Sequence, residues 1–83
     1  MFPFPKLGDS EVAIAQVEAQ TGIPLNVNGQ RHRANGGEVY RIFATLTDAR
    51  AYARRAVAEN PAIECALFNY AGRGIETIRS PRP

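Results

Sequence analysis

Residues 47–60, TDARAYARRAVAEN, carry the pattern that most restricts what this chain can fold into. Ala49, Tyr52, Ala53, Ala56 and Val57 recur at i, i+3, i+4, i+7 and i+8, which is a single stripe along an α-helix. Thr47-Asp48 supplies an N-cap, and Pro61 cannot continue the helix. Tyr52 is the only bulky anchor on the stripe. The small residues around it let the helix approach a sheet closely, so the chain must provide that sheet on either side of it.

It does so with three runs. EVYRIFATL (38–46) is rich in β-branched and aromatic residues and reads as a strand. AIECALFNY (62–70) reads as a second, AGRG (71–74) as a turn, and IETIR (75–79) as a further strand. Leu25 and Val27, alternating with Asn26 and Asn28, predict a short strand upstream. Asn35-Gly36-Gly37 is the better hairpin turn before residue 38, with Asn28-Gly29 a second turn or a bulge. Near the N-terminus, Asp9 and Ser10 are good N-caps and Glu11 suits a first helical turn. Ile14, Val17 and Thr21 share a helical face with Ala13 beside them, Gly22 takes the C′ position, Ile23 follows it, and Pro24 is the stop.

The predicted order is α-β-β-α-β-β. Short links between neighbouring strands favour antiparallel pairing. The expected fold is a two-layer α+β domain: about four mainly antiparallel strands with two helices on one face. Residues 1–8 form an extended arm, because Pro3 and Pro5 exclude a helix there. Residues 9–79 are the domain and 80–83 a tail. Phe2 and Phe4 give the arm two anchors, for the domain or for a partner.

Alternation sorts the long strands into two rows. In 62–70, Ile63, Cys65 and Leu67 oppose Ala66, Phe68 and Tyr70 with Glu64. In 38–44, Val39 and Phe43 with Arg41 oppose Tyr40, Ile42 and Ala44. Both rows are substantially apolar, whereas helices on one face cover only one of them. A monomer has three means of covering the other: strand twist, the Phe-bearing arm, and long Arg stems. Uncovered, the row would be a docking surface for a protein partner or a second copy, with Tyr40, Ile42, Phe68 and Tyr70 as its contacts.

Composition narrows the chemistry. The chain has 83 residues and a single cysteine, Cys65, so an internal disulfide is excluded and a cysteine-rich metal site with it. Cys65 falls on the core row and reads as a small hydrophobe. A catalytic His32 would need an orienting acid and a nucleophile; Glu38, after the glycine turn, could approach it across the hairpin, but such cross-strand ion pairs are routine surface features. Phosphate-loop and dinucleotide-binding glycine patterns are missing, and AGRG holds only a lone GxG. No cofactor, metal, catalytic residue or small-molecule substrate is expected.

The opening MFPFPKLGDS does not read as a signal peptide, and no apolar run reaches membrane-spanning length. Together with the lone cysteine this predicts a reducing, cytoplasmic setting. Nine of the ten cationic residues are Arg, a Lys-poor balance that fits a bacterial or phage source. Net charge is only +2. Arg31 and Arg33 in the RHR stretch, with Arg50, Arg54 and Arg55 on the predicted helix, would make a phosphate-binding stripe if they faced one way.

Residues 40–78 resemble a pattern found in small uncharacterised bacterial proteins. It comprises an aromatic-led strand (Tyr40, Ile42, Phe43), a helix start (Thr45-Leu46, Asp48-Ala49) and a strand that ends in a glycine turn (Gly72). The resemblance implies a sheet with one packed helix and brings no active site. The expected role is a small non-enzymatic protein-interaction module, of the size used by phage inhibitors, immunity proteins and antitoxins. The alternative is an Arg-dependent nucleic-acid-binding module.

Overall fold

A computed structural model describes residues 4–27, 29–32 and 38–81. It contains β1 (Val12–Glu18), β2 (Tyr40–Phe43), α1 (Leu46–Glu59), β3 (Ile63–Phe68) and β4 (Gly74–Arg79). Among the described residues the fold is α+β: one four-stranded sheet in the order β2-β1-β3-β4, every neighbouring pair antiparallel, with a single helix. β2 and β3 both run against β1, so they are parallel to each other with β1 between them and α1 linking them across one face. The shortest axis of the molecule is 18 Å, the thickness of one sheet and one helix.

The helix expected over residues 9–21 is instead strand β1, so the order is β-β-α-β-β, with one helix where two were expected. Asp9-Ser10 is a turn, closed by the Glu11 amide donating to the Gly8 carbonyl at 3.0 Å and the Gly8 amide donating to Glu11 Oε1 at 2.7 Å. Gly22, with φ +74, turns the chain after β1. Its amide donates to the Glu18 carbonyl at 2.8 Å. Tertiary pairing decides the matter: β1 is hydrogen-bonded on both edges, Val12–Ala15 to β2 and Ala13–Glu18 to β3. The strand expected at Leu25–Val27 is reduced to isolated bridges, Val17 to Pro24 and Leu25 to Arg31. The Asn35-Gly36-Gly37 turn lies outside the described residues.

The second expected helix is α1, and its stripe is as the spacing requires. Ala49, Ala53 and Val57 are buried, and Leu46, Tyr52 and Ala56 pack against the core. The helix starts two residues earlier than a cap at Thr47 suggests. Thr45 is the N-cap, its Oγ1 accepting from the Asp48 amide at 3.1 Å. Replacing Thr45 with Ala is expected to lower stability by about 1 kcal/mol in a urea melt with an unchanged slope. An unaffected midpoint would show that the cap is idle.

The core lies between α1 and the sheet row Val12, Ile14, Ile63, Cys65, Leu67 and Ile78. Ile14, Leu67 and Cys65 are fully buried. Tyr52 closes the β2 side. It receives a 2.8 Å hydrogen bond from Gln16 Nε2, packs on Phe43 at 5.1 Å between ring centres, and lies 5.3 Å beneath the Arg41 guanidinium. Arg41 also donates to the Val27 carbonyl, tying the preceding loop to β2.

Candidate interaction face

The face turned away from α1 is built from the other row of each strand. Ala13 stands opposite Ile42 on one side and Phe68 on the other, and Ala15 stands between Tyr40 and Ala66. Alanine at these central positions leaves a shallow floor. Ala13 is 0% exposed and Ala15 5%, although no helix covers them. Aromatic rings do. Phe4, Tyr40 and Phe68 form an edge-to-face trio, with centroids 5.0 Å apart for Phe4–Tyr40 and 5.9 Å for the other two pairs. This is the arrangement that aromatic quadrupoles favour. Burial raises the Tyr40 phenol above its ordinary value of 10 and so keeps it neutral.

Phe4 reaches the trio because the arm passes against the β3–β4 turn. A methyl group at Gly72 would stand 3.7 Å from the Phe4 ring. Gly72 has φ +76, a conformation that glycine adopts without strain. Asn69 sets the turn: its Oδ1 accepts from the Ala71 and Arg73 amides at 2.9 and 3.1 Å.

Of the four residues expected on this face, Tyr40 and Phe68 are half-buried beneath Phe4. Ile42 is 48% and Tyr70 56% exposed. Ile75 on β4, 41% exposed, belongs to the same row and was missed. The alternation Ile75-Glu76-Thr77-Ile78 carries that signal, since Ile78 is in the core and Ile75 therefore points the other way. At the opposite end of the face Arg79 pairs with Glu64 at 3.0 Å.

The arginine stripe is less coherent. Arg31 is held bidentate by Glu18, at 2.8 and 3.0 Å, and Arg50 by Glu76 at 2.8 Å. Arg54 and Arg55 are exposed on α1, and Arg33 lies outside the described residues. The Glu18 carboxyl is held below the usual carboxylate range, chiefly by the Arg31 hydrogen bonds and then by Thr21. A groove of roughly 850 Å³ opens at the Glu18 end of the sheet, with Leu25, Asn60 and Ile63 in its wall. The guanidiniums of Arg31 and Arg79 that border it are already committed to Glu18 and Glu64.

Among the described residues, no group of three or more His, Cys, Asp or Glu is placed to hold a metal ion, and no helix is long and apolar enough to cross a membrane. His32 Nδ1 lies 2.8 Å from Asn26 Oδ1, a contact that anchors the loop. Cys65 is 0% exposed, and burial pushes its thiol up to about 11, against a weaker opposing effect of Arg41. In the native protein at mildly alkaline pH it is expected to resist a thiol reagent, then to react fully once denaturant is added. Rapid native reaction would show that the core row is wrongly placed. No family model, curated protein or solved structure matches the chain.

Proposed function

We propose that this chain is a small non-enzymatic interaction module that takes a protein partner, or a second copy of itself, on the sheet face opposite α1. The observation that carries this reading is the exposure of Ile42 and Ile75 around an aromatic cluster on the face that the helix leaves open, with Tyr70 exposed in the turn that follows β3. Four strands spaced about 4.8 Å apart present a face of only about 400 Å². That is roughly half of what a standard stable interface buries on each partner. The reading is therefore of a modest or transient contact rather than an obligate assembly. A bacterial or phage origin, an inhibitor-like or antitoxin-like role and a cytoplasmic setting fit this reading by size and composition alone.

The test is co-purification of the tagged full chain from its host beside a variant carrying Ile42→Asp and Tyr70→Ala. The expected result is a protein retained by the wild type, lost by the variant, and able to bind the purified wild-type chain directly. Sedimentation of the wild type across concentration examines the second-copy form. Retention of nucleic acid instead, lost on Arg54→Glu with Arg55→Glu and steeply salt-dependent, would favour the alternative role.

A further inference from the structure

The apolar face already holds an occupant, and that occupant belongs to the chain itself. Phe4 lies edge-on to Tyr40 and Phe68, the residues paired with Ala15 and Ala13, and beside Gly72. Pro5 after it is half-buried, whereas Lys6 is exposed. Among the described residues, no backbone hydrogen bond joins residues 4–7 to the sheet. The first backbone contact of this region is the Gly8–Glu11 turn that leads into β1. Among the described residues of the arm, Phe4 is the ring that seats it, with Pro5 and Leu7 half-buried beside it.

We propose that the Phe4 arm is a self-ligand: a strap occupying the seat that a partner enters with an extended segment bearing an aromatic residue followed by proline. This rests on the reading of the face as a protein-binding surface and specifies both the partner's chemistry and its regulation. The partner's chemistry is taken from the occupant on the page. The seat accepts a phenyl ring edge-on to Tyr40 and Phe68. A proline next to the ring holds the segment extended before it binds, which lowers the ordering cost, and it donates no hydrogen bond, so the seat need not offer a carbonyl to it. A second folded copy is the poorer occupant, because the face is small and the strap stands across its centre.

A strap also weakens every incoming ligand in proportion to the time it spends closed, because only the open fraction is competent. A strap closed nine-tenths of the time lowers apparent affinity about tenfold.

The experiment uses the full chain, isotope-labelled for NMR, and a synthetic peptide of residues 1–8, MFPFPKLG, as the probe. The Phe4→Ala variant is expected to bind the peptide about tenfold more tightly than the wild type, with shifts concentrated at Ala13, Tyr40, Phe68 and Gly72. A peptide with both phenylalanines changed to alanine is expected not to bind either protein. Phe4 lies on the opposite side of the sheet from the Ile14–Leu67 core, so the variant should fold. If it does not, Phe4→Leu takes its place with the same expected order of affinities. Equal binding by wild type and variant, or shifts located elsewhere, would overturn the strap. Should that happen while the Ile42→Asp and Tyr70→Ala variant still loses a captured protein, the strap falls and the interaction module stands. Peptide binding as expected with no protein captured supports the strap and removes the broader reading.

Discussion

Leu67→Ala is expected to lower stability by about 3 kcal/mol. Leu67 is 0% exposed near the end of β3, paired with Ile14 of β1 and Glu76 of β4, on the face that α1 covers. The backbone around it is paired on both sides, so the surrounding structure has little freedom to collapse into the space left behind. Small domains hold roughly 5–15 kcal/mol in total, so the loss is a large share. In a domain of this size it corresponds to a fall in Tm of about 12–24 °C. Ile42→Ala removes a similar side chain from the open face and is expected to cost about 0.5 kcal/mol or less. Equal losses at the two positions would mean that the two faces of the sheet have been exchanged.

Ala53→Leu is expected to cost about 1–3 kcal/mol, though it adds apolar bulk and keeps helix propensity high. Ala53 is 0% exposed where α1 meets the sheet, and a larger side chain there forces the helix outward or drives its neighbours off their rotamers. The same change at Ala58, exposed on the outer side of the same helix, is expected to stay within about 0.5 kcal/mol. Urea melts of the pair isolate packing from propensity. If Ala53→Leu stabilised the protein, the close approach of helix to sheet would not exist.

The parts of the fold that were legible are those where one physical signal acts alone. The stripe Ala49–Val57 has helical period and a proline stop, and the helix lies there. Strand alternation in 62–70 placed Ile63, Cys65 and Leu67 inside, and all three are buried. The first element was misread because two signals were in conflict. Val12, Ala13, Ile14 and Ala15 are buried on both faces of a central strand, so no polar row marks period two. Asp9, Ser10, Gly22 and Pro24 meanwhile supply the punctuation of a helix; in the structure the first three mark turns and Pro24 bridges to Val17. The β-branched residues at 12, 14 and 17 were the available hint.

The candidate face was legible in part for the same reasons. Alternation placed Tyr40 and Phe68 on the uncovered row, and an arm with two phenylalanines was one of the covers that a monomer could use. Which residue would cover which was not readable. It depends on a non-local fit of Phe4 to Tyr40, Phe68 and Gly72, residues distant in sequence that strand pairing brings together. The pairing of Arg31 with Glu18 and of Arg50 with Glu76 was not readable either, because both are tertiary contacts.

Strand order has a cost during synthesis. β1 is a central strand, and its second neighbour, residues 63–68, is translated only after the whole of residues 19–62. While the ribosome is still at work, the nascent Val12–Val17 segment has an open flank with unsatisfied amides and carbonyls and β-branched side chains in water. That is the interval in which a slow decoding step or a crowded polysome favours clumping over folding. Rare codons upstream of residue 63 should therefore lower the soluble yield more than the same codons placed after it.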